Sequence, residues 1–166
     1  ATFYTLKHNN YFFRETNMKK LRSSWYSNKP INTYDPANIV FSAQAVLVNN
    51  LYSNLLEYSP ESTLVSSIAK SFKWISNTEI NFEIRTDLKT ASGTQITAED
   101  VYLSFKRLLV KGTNTHGSLQ YFLCPNSKIH SISDKCEGLT WLENNVILKV
   151  HTENKAKFLI PLLNEI

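Results

Sequence analysis

Four histidines (His8, His116, His130, His151) and two cysteines (Cys124, Cys136) are the side chains best suited to metal or nucleophilic chemistry. None of the histidines belongs to an HExxH or HxH arrangement that would set two imidazoles on one metal, so each reads as a surface or hydrogen-bonded histidine. Residues 112–118, GTNTHGS, mimic the glycine spacing of a phosphate loop. They lack the lysine that would reach the phosphates and follow a helical pattern instead of a strand, so they read as a turn. Glu99 and Asp100 are adjacent carboxylates, and the positive end of a helix dipole accounts for both without an acid/base role. Glu57 and Glu61 stand near Pro60 in what reads as another turn. No nucleophile, base and oxyanion donor assemble, so the sequence predicts a non-enzyme that uses neither cofactor nor metal.

The cysteines are too far apart for a CxxC redox pair and have no companions for a zinc site. Two readings remain. One is a local disulfide in an oxidising compartment, where closing such a loop contributes about 3 kcal/mol; the other is a pair of free thiols.

The elements that would carry these residues follow from periodicity. The first eighteen residues are rich in aromatics, including Tyr11, Phe12 and Phe13, without a clear period. Residues 21–26 read as a strand, broken by Asn28, Lys29 and Pro30. Ser42 suits a helix N-cap; Leu47, Val48, Leu51, Tyr52 and Leu55 then share one face, with Gln44, Asn49 and Asn50 opposite. Phe72, Trp74 and Ile75 suggest a short strand. Ile80, Phe82 and Ile84 alternate with Asn81, Glu83 and Arg85 in the pattern of a half-buried strand, and residues 76–78 favour a hairpin.

The clearest local pattern follows. Thr97 caps a helix whose first turn holds Glu99 and Asp100 and whose far end holds Lys106, Arg107 and Lys111. Its apolar stripe runs through Ala98, Val101, Tyr102, Phe105, Leu108 and Leu109, and Gly112 is placed to end it. Residues 112–138 read as a long loop region with one short aromatic helix or turn around Tyr121 and Phe122. Val146, Leu148 and Val150 make a late strand, and Pro161 sits in an apolar tail that is a short helix or irregular.

Composition bounds the class. A chain of 166 residues, 42% hydrophobic and 19% charged, can bury a real core. Its formal charge of +4 comes from 18 basic and 14 acidic side chains that are scattered, apart from Lys19, Lys20 and Arg22, so no nucleic-acid partner is expected. No apolar run reaches the length of a membrane-spanning helix. A first residue Ala1 suits a mature form after signal-peptide removal, or a chain trimmed at its start.

Several motifs occur in a fixed order. Tyr34-Asp35-Pro36 resembles an "LDP" after a first strand, and Asn50-Leu51-Tyr52-Ser53-Asn54-Leu55 resembles "NLYEGL". Ile68-Ala69-Lys70-Ser71-Phe72 is similar to "LAESW", and Phe82-Glu83-Ile84-Arg85 to "FKLR". The run from Ser92 to Val101, SGTQITAEDV, is similar to "SDGTPLTAEDV", with Ser104 to Arg107 behind it. The stretch from Trp141 to Val150, followed by Phe158 to Leu163, is similar to a "DDHTLEVTL" strand and the proline-associated segment after it. Together these resemble family 5 of the extracytoplasmic solute-binding proteins, the oligopeptide, dipeptide and nickel binders of ABC importers. The sequence departs from the pattern at Asn54, Phe72, Ser92 and Gln95, where glycine, tryptophan, aspartate and proline are usual.

The resemblance implies an α/β chain of periplasmic-binding-protein type II-like fold, a partial first lobe with a mixed β-sheet and flanking helices. It implies residues 1–50 as an N-terminal segment and start of lobe I, residues 51–166 as the inserted subdomain of that lobe, and a second lobe absent from this chain. The expected activity is non-covalent capture of peptides or a similar small solute in an interlobe cleft, for delivery to an ABC permease in the membrane. The expected location is periplasmic or extracellular, as a free or lipid-anchored protein. Val40, Phe41 and Ser42 are expected in the ligand cleft, with His116 and Tyr121 as further candidates. Two other functions fit the same fold: a ligand-sensing module of a regulator, and an interaction protein that kept the lobe without the cleft.

Overall fold

The computed structural model describes residues 33–39, 42–111, 114–152 and 158–159, and the chain divides into two compact units, Ala1–Ser53 and Asn54–Ile166. The strand expected at residues 21–26 lies outside the described residues.

In the first unit Asp35 accepts the Ala37 N–H at 3.0 Å and so caps a 3-10 turn, Pro36–Asn38, whose proline has no N–H to lose. Helix α1 runs Ser42–Leu51. Gln44 and Val48 are its buried positions. That corrects the expectation that Gln44 faces away from the apolar stripe: one turn before Val48, it shares Val48's side of the helix. Tyr52 lies beyond the helix and is exposed.

The second unit opens with a hairpin of β1 (Leu56–Tyr58) and β2 (Leu64–Ser66), paired antiparallel with Leu56 opposite Ser66. Glu57 and Glu61 were expected in a turn; Glu57 lies in β1, while Glu61 does sit between the strands. The larger sheet holds β3 (Ala69–Ser76), β4 (Glu79–Ile84), β5 (Leu139–Leu142) and β6 (Asn145–Lys149), in the order β3-β4-β6-β5 with every pair antiparallel. β4 alternates as its sequence dictates: Ile80, Phe82 and Ile84 are buried, and Asn81 and Glu83 lie on the other face. Register places Phe82 opposite Val146, and Ile80 opposite Leu148. Each such side chain removed from water contributes about 1.5–3 kcal/mol.

Helix α2 (Ala98–Lys111) packs on β5 and β6 and against α3 (Asn114–Leu123). Its start is a reciprocal cap, in which the Asp100 N–H donates to Thr97 Oγ1 at 3.2 Å while Asp100 Oδ2 accepts the Thr97 N–H at 2.8 Å. Val101, Phe105 and Leu109 of the expected stripe join Ile80, Phe82, Val146 and Leu148 in the core. The ten residues of α3 bear on two expectations. The aromatic helix or turn expected around Tyr121 and Phe122 is a helix, longer than expected, and residues 114–118 of the supposed glycine turn lie within it. Its buried Leu119 and Leu123 offset the weak helix propensity of its Asn, Thr and Gly.

Candidate functional site

A hydrogen-bonded polar surface of the second unit lies where α3 ends. Cys124 is bonded to Cys136, their Cα atoms 5.1 Å apart, and this closes the segment between them into a loop against α2 and α3. Inside the loop Asp134 Oδ2 accepts the backbone N–H groups of His130 at 2.8 Å and Ser131 at 2.9 Å. These two donors hold the Asp134 carboxyl below the usual carboxylate range. At the loop's other end Glu137 accepts the Asn126 N–H at 3.4 Å and the Ser127 hydroxyl at 3.3 Å, while His151 Nε2 stands 3.6 Å away. Its own backbone N–H, then Asn126, Ser127 and His151, keep the Glu137 carboxyl below its ordinary value against the opposing effect of partial burial. Gln120 of α3 donates to the Ser127 carbonyl at 3.2 Å, which ties helix to loop.

Beneath the loop lies Lys106. The sequence places it among the cations that complement the C-terminal end of α2, but its side chain is wholly out of solvent and its amine donates to the Asp134 carbonyl. Desolvation pushes its pKa down, and the Asp134 carboxylate works the other way. Its spacing carried a sign of this: Lys106 lies four residues after Tyr102 and three before Leu109, on the border of the apolar stripe.

The candidate ligand residues fall in different places. Val40 and Phe41 lie outside the described residues, and Ser42 begins α1 in the first unit. His116 and Tyr121 share α3 in the second unit. Tyr121 is 62% exposed and meets Phe122 edge-on, ring centroids 6.1 Å apart. Among the described residues no group of three or more His, Cys, Asp or Glu is placed to hold a metal ion, and no helix is long and apolar enough to cross a membrane. Asp100, Asp134 and Glu137 are occupied in caps and turns, so this surface offers hydrogen-bonding and aromatic contacts.

No protein-family model and no curated protein matches the chain in sequence. Solved structures do match in fold. The Escherichia coli murein tripeptide binding protein MppA aligns with a TM-score of 0.63 at 22% identity, over 73% of this chain and 25% of its own. A periplasmic oligopeptide-binding protein from Borrelia burgdorferi aligns with 0.67 at 19% identity, over 80% and 28%. Listeria monocytogenes OppA bound to peptide aligns with 0.64 at 17% identity, over 81% and 28%. The fold is part of the type II periplasmic-binding-protein fold. The chain spans about a quarter of the length of each of these structures.

Proposed function

We propose that this chain is part of the extracytoplasmic substrate-binding component of an ABC importer, a member of the family 5 solute-binding proteins that captures a peptide or similar small solute without covalent chemistry. The observation that carries the reading is the shared fold with proteins named for the tripeptides and oligopeptides they bind. The ordered motifs from Tyr34-Asp35-Pro36 to the TAEDV run support it from the sequence side.

In this reading residues 1–50 begin a lobe and residues 51–166 form its inserted subdomain. Val40, Phe41 and Ser42 are the proposed ligand contacts, with His116 and Tyr121 as further candidates. Closure of an opposing lobe buries the ligand between two walls, and the closed form docks on a membrane permease. The protein works on the outer side of the cytoplasmic membrane.

The test is thermal. A ligand that binds the folded state and not the unfolded one raises the melting temperature in proportion to the logarithm of its concentration over Kd. Di- to pentapeptides should raise that of the protein encoded by the whole reading frame. A melting curve unmoved by every peptide and by nickel complexes would remove the proposal's basis.

A further inference from the structure

Among the described residues, Lys106 is the one charged side chain that is fully buried. Its amine donates to the carbonyl of Asp134, two positions before Cys136, so it grips the loop beside the disulfide. Cys124 and Cys136 are themselves 1% and 7% exposed. We propose that Lys106 and the Cys124–Cys136 bond form a single thiol-sensitive latch that holds residues 125–135 against α2, each partner protecting the other from solvent.

The coupling follows from access. A thiolate must reach a disulfide sulfur to attack it, and these sulfurs are covered, so exchange waits on local opening of the loop. Opening parts Lys106 from the Asp134 carbonyl. Whatever stabilises that hydrogen bond therefore slows reduction, and by linkage the intact disulfide keeps the amine dry. A dithiol reductant supplies two electrons: the Cys124–Cys136 bond breaks, both sulfurs leave as thiols carrying the dithiol's two protons, and the dithiol closes to its own disulfide. The loop is then held by Lys106, by the Gln120 bond to the Ser127 carbonyl, by Ile129 in the core and by the Asp134 and Glu137 hydrogen bonds, against the pull of water on a desolvated ammonium. α3 runs directly into Cys124, so release also frees the end of the helix that carries Tyr121. The latch is independent of what the chain binds.

The test follows acylation of individual lysines by N-hydroxysuccinimidyl acetate, read by mass spectrometry, in the oxidised chain and after dithiothreitol. Lys106 should be inert while oxidised and gain about tenfold or more in rate on reduction, the scale set by losing a charged hydrogen bond. Lys70 and Lys149, 64% and 61% exposed, should not change. The amides of β4 and β6 should keep their protection from exchange, because the latch is local. Lys106→Met should hasten reduction of the disulfide by about tenfold. Equal Lys106 reactivity in both redox states, a wild-type reduction rate in the variant, or loss of sheet protection on reduction would each overturn the proposal. If Lys106→Met does not fold, Cys124→Ser with Cys136→Ser decides it: Lys106 must then react as in the reduced wild type, and a protected Lys106 overturns the latch.

Discussion

Gly138 lies so close to Leu123 that a Cβ added to it would stand 2.3 Å from the Leu123 carbonyl oxygen and 2.2 Å from that of Lys149. Both obstacles are backbone. The turn leading into β5 thus passes between the end of α3 and β6, and the Gly138 carbonyl accepts the Lys149 N–H at 2.9 Å. Gly138→Ala should cost about 3 kcal/mol in a urea melt, the upper range for overpacking without relief. Gly93 is the control: its Cβ would meet open space, but its φ of +87° is strained for other residues. Gly93→Ala should cost about 1 kcal/mol. Equal costs at the two sites would contradict the close approach.

The reciprocal cap of α2 makes a second prediction. Thr97→Ala should lower stability by about 1 kcal/mol, and Asp100→Ala by a similar amount. Because the two side chains hydrogen-bond each other at 2.7 Å, the double variant should lose less than the sum. Full additivity in chemical melts would show that the two caps act independently.

The two halves of α2 also show what the sequence could and could not reveal. Its start was legible because Thr97, Glu99 and Asp100 act on neighbours within one turn, and β4 was legible because Ile80, Phe82 and Ile84 alternate over a whole strand. The burial of Lys106 was signalled only by its place on the border of the apolar stripe, because it depends on a loop that returns 28 residues later. β1 and β2 have three residues each, too few for alternation to stand out. α3 was hidden by its Asn, Thr and Gly, whose propensities tertiary burial of Leu119 and Leu123 overrides. Of the candidate site, Tyr121 was placed on a short aromatic helix or turn and lies on a helix, while the Asp134 and Glu137 network joins residues no local pattern connects.

Acid stability supplies a third prediction. The folded state depresses the pKa of Asp134 through the His130 and Ser131 N–H groups. A depressed carboxyl contributes stability that is present above its unfolded value and lost as pH falls through the folded one. The window therefore opens near pH 4, the ordinary aspartate value, and extends below it. Asp134→Asn keeps an acceptor but cannot titrate, so its melting temperature should fall less steeply than wild type from about pH 5 to about pH 3. Parallel profiles would show that Asp134 titrates normally in the folded chain.

The central claim, that the chain is part of a binding protein for peptides or similar solutes, is tested most directly by titration calorimetry. A mixed di- to pentapeptide panel is titrated into the protein encoded by the whole reading frame, as wild type and as Phe41→Ala, with mass spectrometry of the peptides afterwards. The account predicts saturable binding, peptides recovered intact, and a loss in Phe41→Ala of about 1.4 kcal/mol or more, a tenfold weakening, without loss of fold. No heat from any peptide, or peptides recovered cleaved, would contradict it.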